Sequence, residues 1–149
     1  MASRARRPLT RPAAFWDSSV LVPLYARQES TAQTLRWYKT YEVVVWWATP
    51  VEIAGALARL LRMKQLAVGD WRKGLTAISH EAQTWSVIAP SDIIRSRAID
   101  LVEHYDLRAG DSLQLAAALA WCEDMPRGYV FLTGDEKLRE AALLTGFEA

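Results

Sequence analysis

The sequence predicts an α/β fold: a three-layer sandwich with a mainly parallel central sheet of four or five strands flanked by helices. Three observations point there. Apolar runs of strand length alternate with segments of helical apolar spacing along the chain. The run Val43-Val44-Val45-Trp46-Trp47 is continuously β-branched and aromatic. That pattern suits a strand buried on both faces, which belongs to a parallel sheet covered on both sides. The length of 149 residues suits one domain, placed at 12–149. A domain of this size buries roughly 70% of its unfolded surface and needs no disulfide or structural zinc.

Residues 1–11 read as a flexible basic arm, with Arg4, Arg6, Arg7 and Arg11 and no acid. The arm is set against a body in which 17 acids outnumber the remaining bases. The body is therefore no generic basic binder of nucleic acid. Arg11 to Trp16 reads as strand one. Asp17 or Ser18 then caps a helix carrying Val20, Leu21, Leu24 and Tyr25. A second helix is expected from Ser30 to Thr40, with Leu35 and Tyr38 inward. After the Val43–Trp47 strand, Thr49 at N-cap, Pro50 at N1 and Glu52 at N3 open a helix reaching about Lys64. Its apolar stripe is Ile53, Leu57, Leu60 and Leu61. Ala67 to Gln83 forms the second arm of a helical hairpin, with Trp71, Leu75 and Ile78 on one face. Trp85 to Ala89 is a short strand. Ser91 caps a helix through His104, with Ile94, Ala98, Leu101 and Val102 inward. Asp111 opens a nearly all-apolar helix, as expected of one at the domain centre. Tyr129 to Leu132 is the last clear strand, and Glu136 to Leu144 the last helix, ended by Gly146. Phe147 begins a final edge strand.

Composition narrows the function classes. No apolar run reaches the roughly 20 residues of a membrane span, and no signal-peptide apolar region follows the basic start. One cysteine, Cys122, excludes an internal disulfide and a cysteine-rich zinc site, which fits a cytoplasmic protein. Cys122 itself reads as a small buried hydrophobe. Seven Trp are scattered without a repeat and read mainly as core or interface.

Four acids stand out by position. Asp17, Glu52 and Asp135 each follow an apolar strand and open a helix, and in a parallel sheet such points share one edge. Asp111 opens a helix with no strand directly before it. Each acid alone is also accounted for as a helix-start acid. Four on one edge repel one another, at about 4 kcal/mol for two charges ~4 Å apart in an effective dielectric near 20. A hard divalent cation removes that cost and prefers oxygen ligands, which fits Mg²⁺, or Mn²⁺ in its place.

Four stretches then match a known family in order and spacing: Phe15-Trp16-Asp17-Ser18-Ser19-Val20-Leu21-Val22-Pro23-Leu24-Tyr25; Thr49-Pro50-Val51-Glu52-Ile53-Ala54-Gly55-Ala56-Leu57-Ala58-Arg59; Leu107-Arg108-Ala109-Gly110-Asp111-Ser112-Leu113-Gln114-Leu115-Ala116-Ala117-Ala118; and Phe131-Leu132-Thr133-Gly134-Asp135-Glu136-Lys137-Leu138. Together they resemble a PIN-domain ribonuclease, most closely the VapC-type toxin of a type II toxin–antitoxin system. Trp16 stands where the family more often has Tyr or Leu, and the arginine-rich arm is longer than usual. The resemblance implies a metal-dependent endoribonuclease that hydrolyses single-stranded RNA. The family's acidic quartet falls on Asp17, Glu52, Asp111 and Asp135 as catalytic residues and metal ligands. Its hydroxyl after the first acid falls on Ser18 or Ser19, and the one before the last acid on Thr133. A cognate antitoxin and a homodimer are implied as partners. The antitoxin's helix would enter a groove lined by Tyr25, Trp37, Tyr38 and Leu61.

The residues give the chemistry a consistent form. Water activated at a metal and attacking phosphorus in line needs no 2′-hydroxyl and leaves a 5′-phosphate. His80 and His104 are far in sequence from the acids and read as structural or surface residues, not an acid–base pair. Arg59, Arg97 and Arg108 are the candidates for gripping RNA. Competing readings are a catalytically silent fold that binds RNA or protein, and a receiver-like regulatory domain. A receiver wants adjacent acids after the first strand and a Lys after the last, where this chain has Trp16-Asp17 and Asp135. A phosphatase of the haloacid dehalogenase type wants an acid where Ser19 stands.

Overall fold

A computed structural model describes residues 10–149 of the chain. The sheet has four strands: β1 (Ala13–Trp16), β2 (Glu42–Trp46), β3 (Ser86–Ile88) and β4 (Val130–Leu132). Their order is β3-β2-β1-β4, and every pairing is parallel. The chain thus steps outward from β1 through β2 to β3, then returns to the other side of β1. The reversal falls between β1 and β4, and open sheets bind their ligands at the strand carboxyl ends beside such a reversal.

Both faces of β1, β2 and β4 are buried, with side chains alternating between them, whereas Ser86 and Val87 of the edge strand β3 are exposed. Ala14, Trp16, Val43, Val45 and Leu132 enter one core, which α1 (Ser18–Leu21), α2 (Thr31–Thr40), α3 (Thr49–Arg62) and α4 (Val68–Glu81) cover. Phe15, Val44, Trp46 and Phe131 enter the other, beneath α5 (Asp92–His104), α6 (Ala109–Trp121) and α7 (Glu136–Thr145). This is the expected three-layer α/β sandwich. Phe15 stacks on Phe131 across β1 and β4, with ring centroids 5.4 Å apart.

Several boundaries and faces differ from expectation. No fifth strand forms among the described residues: after Phe147 the chain makes one isolated bridge, Val130 with Glu148. Gly146 turns the backbone at φ 113° to end α7 directly before this segment. Leu35 and Val102 are exposed. On α2 the buried stripe is Thr34, Trp37 and Tyr38, one residue off Leu35, and a helix turns 100° per residue. On α5 the face closes on Ile94, Ala98 and Leu101, so Val102 falls outside it. Residues 1–9 of the predicted arm lie outside the described residues. Arg11, grouped with that arm by its charge, is tied to the body. It donates to the carbonyls of Tyr38 (2.7 Å) and Lys39 (3.0 Å) and pairs with Glu42 at 3.2 Å.

Cys122 is buried at the end of α6. His80 and His104 are exposed at the C-terminal ends of α4 and α5. Since α5 starts from the carboxyl edge, its thirteen residues carry His104 roughly 20 Å toward the opposite edge. Among the described residues no helix is long and apolar enough to cross a membrane.

Candidate active site

β1 delivers Asp17 to the carboxyl edge one residue past Trp16, with the Asp17 N–H donating to the Leu132 carbonyl of β4 at 2.9 Å. The side chain is 3% exposed. It occupies the N-cap position of α1 yet makes no capping hydrogen bond. Its Oδ2 instead accepts from Ser19 Oγ at 2.5 Å and from Thr133 Oγ1 at 2.9 Å. Thr133 follows β4, so two hydroxyls from opposite sides of the reversal clamp one carboxylate. Burial pushes the Asp17 carboxyl above its ordinary range, and these hydrogen bonds partly offset it.

Glu52 belongs to the first turns of α3, but the expected capping box is absent. Ala48, not Thr49, is the N-cap, and no side chain caps the helix. That shift places Glu52 one position beyond N3, where its carboxylate is free of the backbone. Its Oε2 accepts from Ser18 Oγ (3.1 Å) and its Oε1 from Gln114 Nε2 (2.9 Å). The two serines therefore differ in role: Ser19 holds Asp17, while Ser18 holds Glu52 and makes only a longer contact, 3.5 Å, with Asp17 Oδ1. Burial, then the Asp17 charge, raises the Glu52 carboxyl to about 7, with a smaller push from Asp111.

Asp111 sits in the first turn of α6. Burial raises its carboxyl, followed by the charges of Asp17 and Asp135. Arg108 opposes that rise from 3.6 Å. Asp135 divides its two oxygens. Oδ1 caps α7 by accepting from the Leu138 N–H at 2.9 Å, and Oδ2 faces Arg108 at 3.9 Å. The Arg108 side chain is 86% exposed, so its guanidinium bridges the two outer acids from the solvent side.

The structure thus brings together all four predicted acids, with Ser18, Ser19, Thr133 and Arg108. Arg59 lies two turns beyond Glu52 on α3, about 10 Å along the axis, and is exposed. Arg97 is not at the site. It pairs with Asp124 at 2.5 Å, beyond the C-terminal end of α6, whereas Asp111 is at the N-terminal end. Thirteen residues of helix separate the two ends, roughly 20 Å.

Gln114 escaped the sequence reading. It is fully buried, and besides Glu52 its Nε2 reaches Thr49 Oγ1 at 3.3 Å. Its Oε1 has no hydrogen-bond partner among the described residues, an arrangement that costs about 1–3 kcal/mol in a protein interior. The available signal was one amide inside the apolar run Leu113 to Leu119, on a helix otherwise committed to the core.

The donor set is oxygen-only, which suits a hard divalent cation, and among the described residues the mutual charge of the acids is only partly answered by one exposed arginine, Arg108. As they stand, no three His, Cys, Asp or Glu side chains among the described residues are grouped tightly enough to hold a metal ion. Donor chemistry therefore fits a cation, while closure around one requires the acids to stand closer together than they do here.

A second feature lies away from the acids. A groove of about 1140 Å³ separates the single-turn helix Val22–Leu24 and the start of α2 from α3 and α4. Leu24, Tyr25, Leu35, Leu60 and Leu66 line it. Tyr25 is the one predicted groove residue on its wall. Trp37 and Tyr38 pack into the adjoining core, Tyr38 edge-on to Trp16 at 6.0 Å.

No protein-family model matches the chain, and no curated protein matches it. Among solved structures, a toxin–antitoxin complex from Klebsiella pneumoniae contains a similar chain. The match has a TM-score of 0.59 at 19% identity and covers 84% of this chain and 88% of that one. At that identity the likeness is one of fold, shared over nearly the whole length of both chains.

Proposed function

We propose that this chain is a metal-dependent endoribonuclease of the PIN-domain, VapC-like type, acting as the toxin of a toxin–antitoxin pair. One observation carries the reading: four carboxylates from four separate elements converge at the carboxyl edge, and three of them are raised above their ordinary range. Burial leads in each case, and a neighbouring acid adds to it for Glu52 and Asp111. Perturbed acids gathered in this way mark functional sites more often than structural ones. When bound, Mg²⁺ or Mn²⁺ held by Asp17 and Asp111, with Glu52 and Asp135 completing the oxygen set directly or through water, would acidify a water and offset charge on the phosphate. Ser19 and Thr133 keep Asp17 fixed and ionisable. Ser18 and Gln114 set the plane of the Glu52 carboxylate. Arg108, released from Asp111 and Asp135, has the reach and exposure to pair with a substrate phosphate. His80 and His104 stand outside this set, which favours hydrolysis without a 2′-hydroxyl nucleophile.

The partner assignments rest on the fold shared with a chain of a toxin–antitoxin complex and on the groove, whose wall sets Leu24, Leu35, Leu60 and Leu66 beside Arg27, Glu29, Asp70 and Lys73 and so suits an amphipathic antitoxin helix with leucine-like anchors and a charged flank. A homodimer is part of the same proposal. The open spacing of the acids favours a second reading, a silent module that binds RNA or protein without cutting.

One experiment separates the two. Single-stranded RNA is incubated with the protein and Mg²⁺, with EDTA, and with Asp17→Asn. The expected result is cleavage to 5′-phosphate products that falls to background in the last two. RNA binding without cleavage establishes the silent module, and cleavage that survives both EDTA and Asp17→Asn sinks the metal mechanism. Co-expression with any small open reading frame immediately upstream tests the toxin role: growth arrest relieved by that frame is expected.

A further inference from the structure

The structure assigns Gln114 as a positioning residue for Glu52, acting from the buried face of α6; the assignment rests on the nuclease reading above. On α6 the residues flanking Gln114 in the core, Leu115, Ala116, Ala117 and Ala118, are apolar and buried. Packing there asks for a hydrocarbon of similar size. The position holds an amide instead, and one end of that amide has no partner among the described residues. What it gains is specific. Nε2 donates at 2.9 Å to Glu52 Oε1, the oxygen that Ser18 does not reach, and at 3.3 Å to Thr49 Oγ1 in the first turn of α3. One donor from α1 and one from α6 therefore hold the two oxygens of a single carboxylate on α3. The same bond couples the start of α6, three residues after Asp111, to the start of α3. Gln114 thus fixes the separation of two candidate ligands as well as the rotation of one. A polar group that orients a ligating carboxylate from behind typically matters about 10–100-fold to affinity or activity.

The test uses the full chain with Gln114→Leu and Gln114→Met, two apolar replacements of similar volume. Readouts are thermal stability, Mn²⁺ affinity by calorimetry, and the kinetics of RNA cleavage. Expected are a melting temperature at or above wild type, Mn²⁺ affinity weakened about 10-fold or more, and a fall in kcat with KM unchanged. In a Glu52→Ala background the same replacement leaves Mn²⁺ affinity unaltered, because the acceptor it acts through is gone. A replacement that lowers stability and leaves Mn²⁺ affinity and kcat intact overturns the assignment. So does an equal loss of Mn²⁺ affinity with and without Glu52. If wild-type protein neither binds Mn²⁺ nor cleaves RNA, the nuclease reading falls and takes this one with it. Retained wild-type activity beside an indifferent Gln114→Leu removes the positioning role alone.

Discussion

At the scale of single residues, the site is a set of acids held against their own preference. Asp17 is almost fully buried, and its charge is answered by hydroxyls, with no cation among its hydrogen-bond partners in the described residues. Asn in its place keeps an acceptor for Ser19 and Thr133 and drops the buried charge. Asp17→Asn is therefore expected to melt at or above the wild-type temperature at pH 7.5 while losing Mn²⁺ binding and RNA cleavage. Parallel calorimetric melting and titration check both halves, and a clear fall in melting temperature contradicts the first. Arg108 works in the opposite sense. It is exposed, stands 3.6 Å and 3.9 Å from two acids, and would compete with the proposed cation for them. Arg108→Ala should bind Mn²⁺ at least as tightly as wild type while raising KM for RNA several-fold, readable by titration and steady-state kinetics. Asp17, Glu52 and Asp135 were legible because strand, acid and helix start recur in the sequence, and Asp111 because it opens an otherwise apolar helix. Gln114 was not, since nothing local distinguishes an amide that solvates itself from one that reaches another helix 62 residues away in the chain.

At the scale of elements, the boundaries that sequence periodicity fixed best are those with a hard chemical stop. Ser91 caps α5 as expected, its Oγ accepting from the Ile94 N–H at 3.2 Å. Gly146 ends α7 in the left-handed region. The start of α3 slipped by one residue because Pro50 is tolerated at either of the first two helical positions, and that slip releases Glu52 from a capping role to the site. The α3–α4 hairpin shows what periodicity cannot see. Gly74 is a helix-interior glycine, ordinarily a weakness. A Cβ there would lie 3.1 Å from Leu57 Cδ1 and 3.4 Å from the Tyr25 carbonyl. The glycine lets α4 close on α3 and on the segment bearing Tyr25, whose hydroxyl donates to Glu81 at 2.6 Å. Gly74→Val should therefore destabilise the fold by about 1–3 kcal/mol through overpacking, measurable as a lowered urea midpoint. It should also weaken binding of a groove-filling helix, while leaving Mn²⁺ affinity at the distant acids unchanged. A variant that is as stable as wild type would show that the hairpin has room to spread.

At the scale of the whole molecule, the parallel sheet gathers charge that the fold alone does not need, and stability is expected to record the strain. The argument runs through protons. The Glu52 carboxyl titrates at about 7 in the folded chain, against an ordinary value near 4.3. Asp17 and Asp111 shift in the same direction. A group with a raised folded pKa holds its proton more tightly in the native state, so the native state binds more protons than the unfolded one across that interval. The stability this contributes is fully present below the unfolded value and is lost as pH rises through about 7. The cation-free protein should accordingly melt at a higher temperature at pH 5.5 than at pH 8. The exposed Asp106–Lys137 pair does not reverse this trend, because the Asp106 carboxyl is lowered and already charged across that window. Divalent cation should act against the trend, because it binds the ionised acids and releases protons as it does so. Apparent Mn²⁺ affinity should rise between pH 6 and pH 8, and saturating Mn²⁺ should raise the melting temperature more at pH 8 than at pH 5.5. Calorimetry at the two pH values, with and without Mn²⁺, gives all four numbers from one preparation. A cation-free protein that is more stable at pH 8 would mean that the acids are better solvated than their burial implies. Mn²⁺ stabilisation independent of pH would place the cation elsewhere on the molecule.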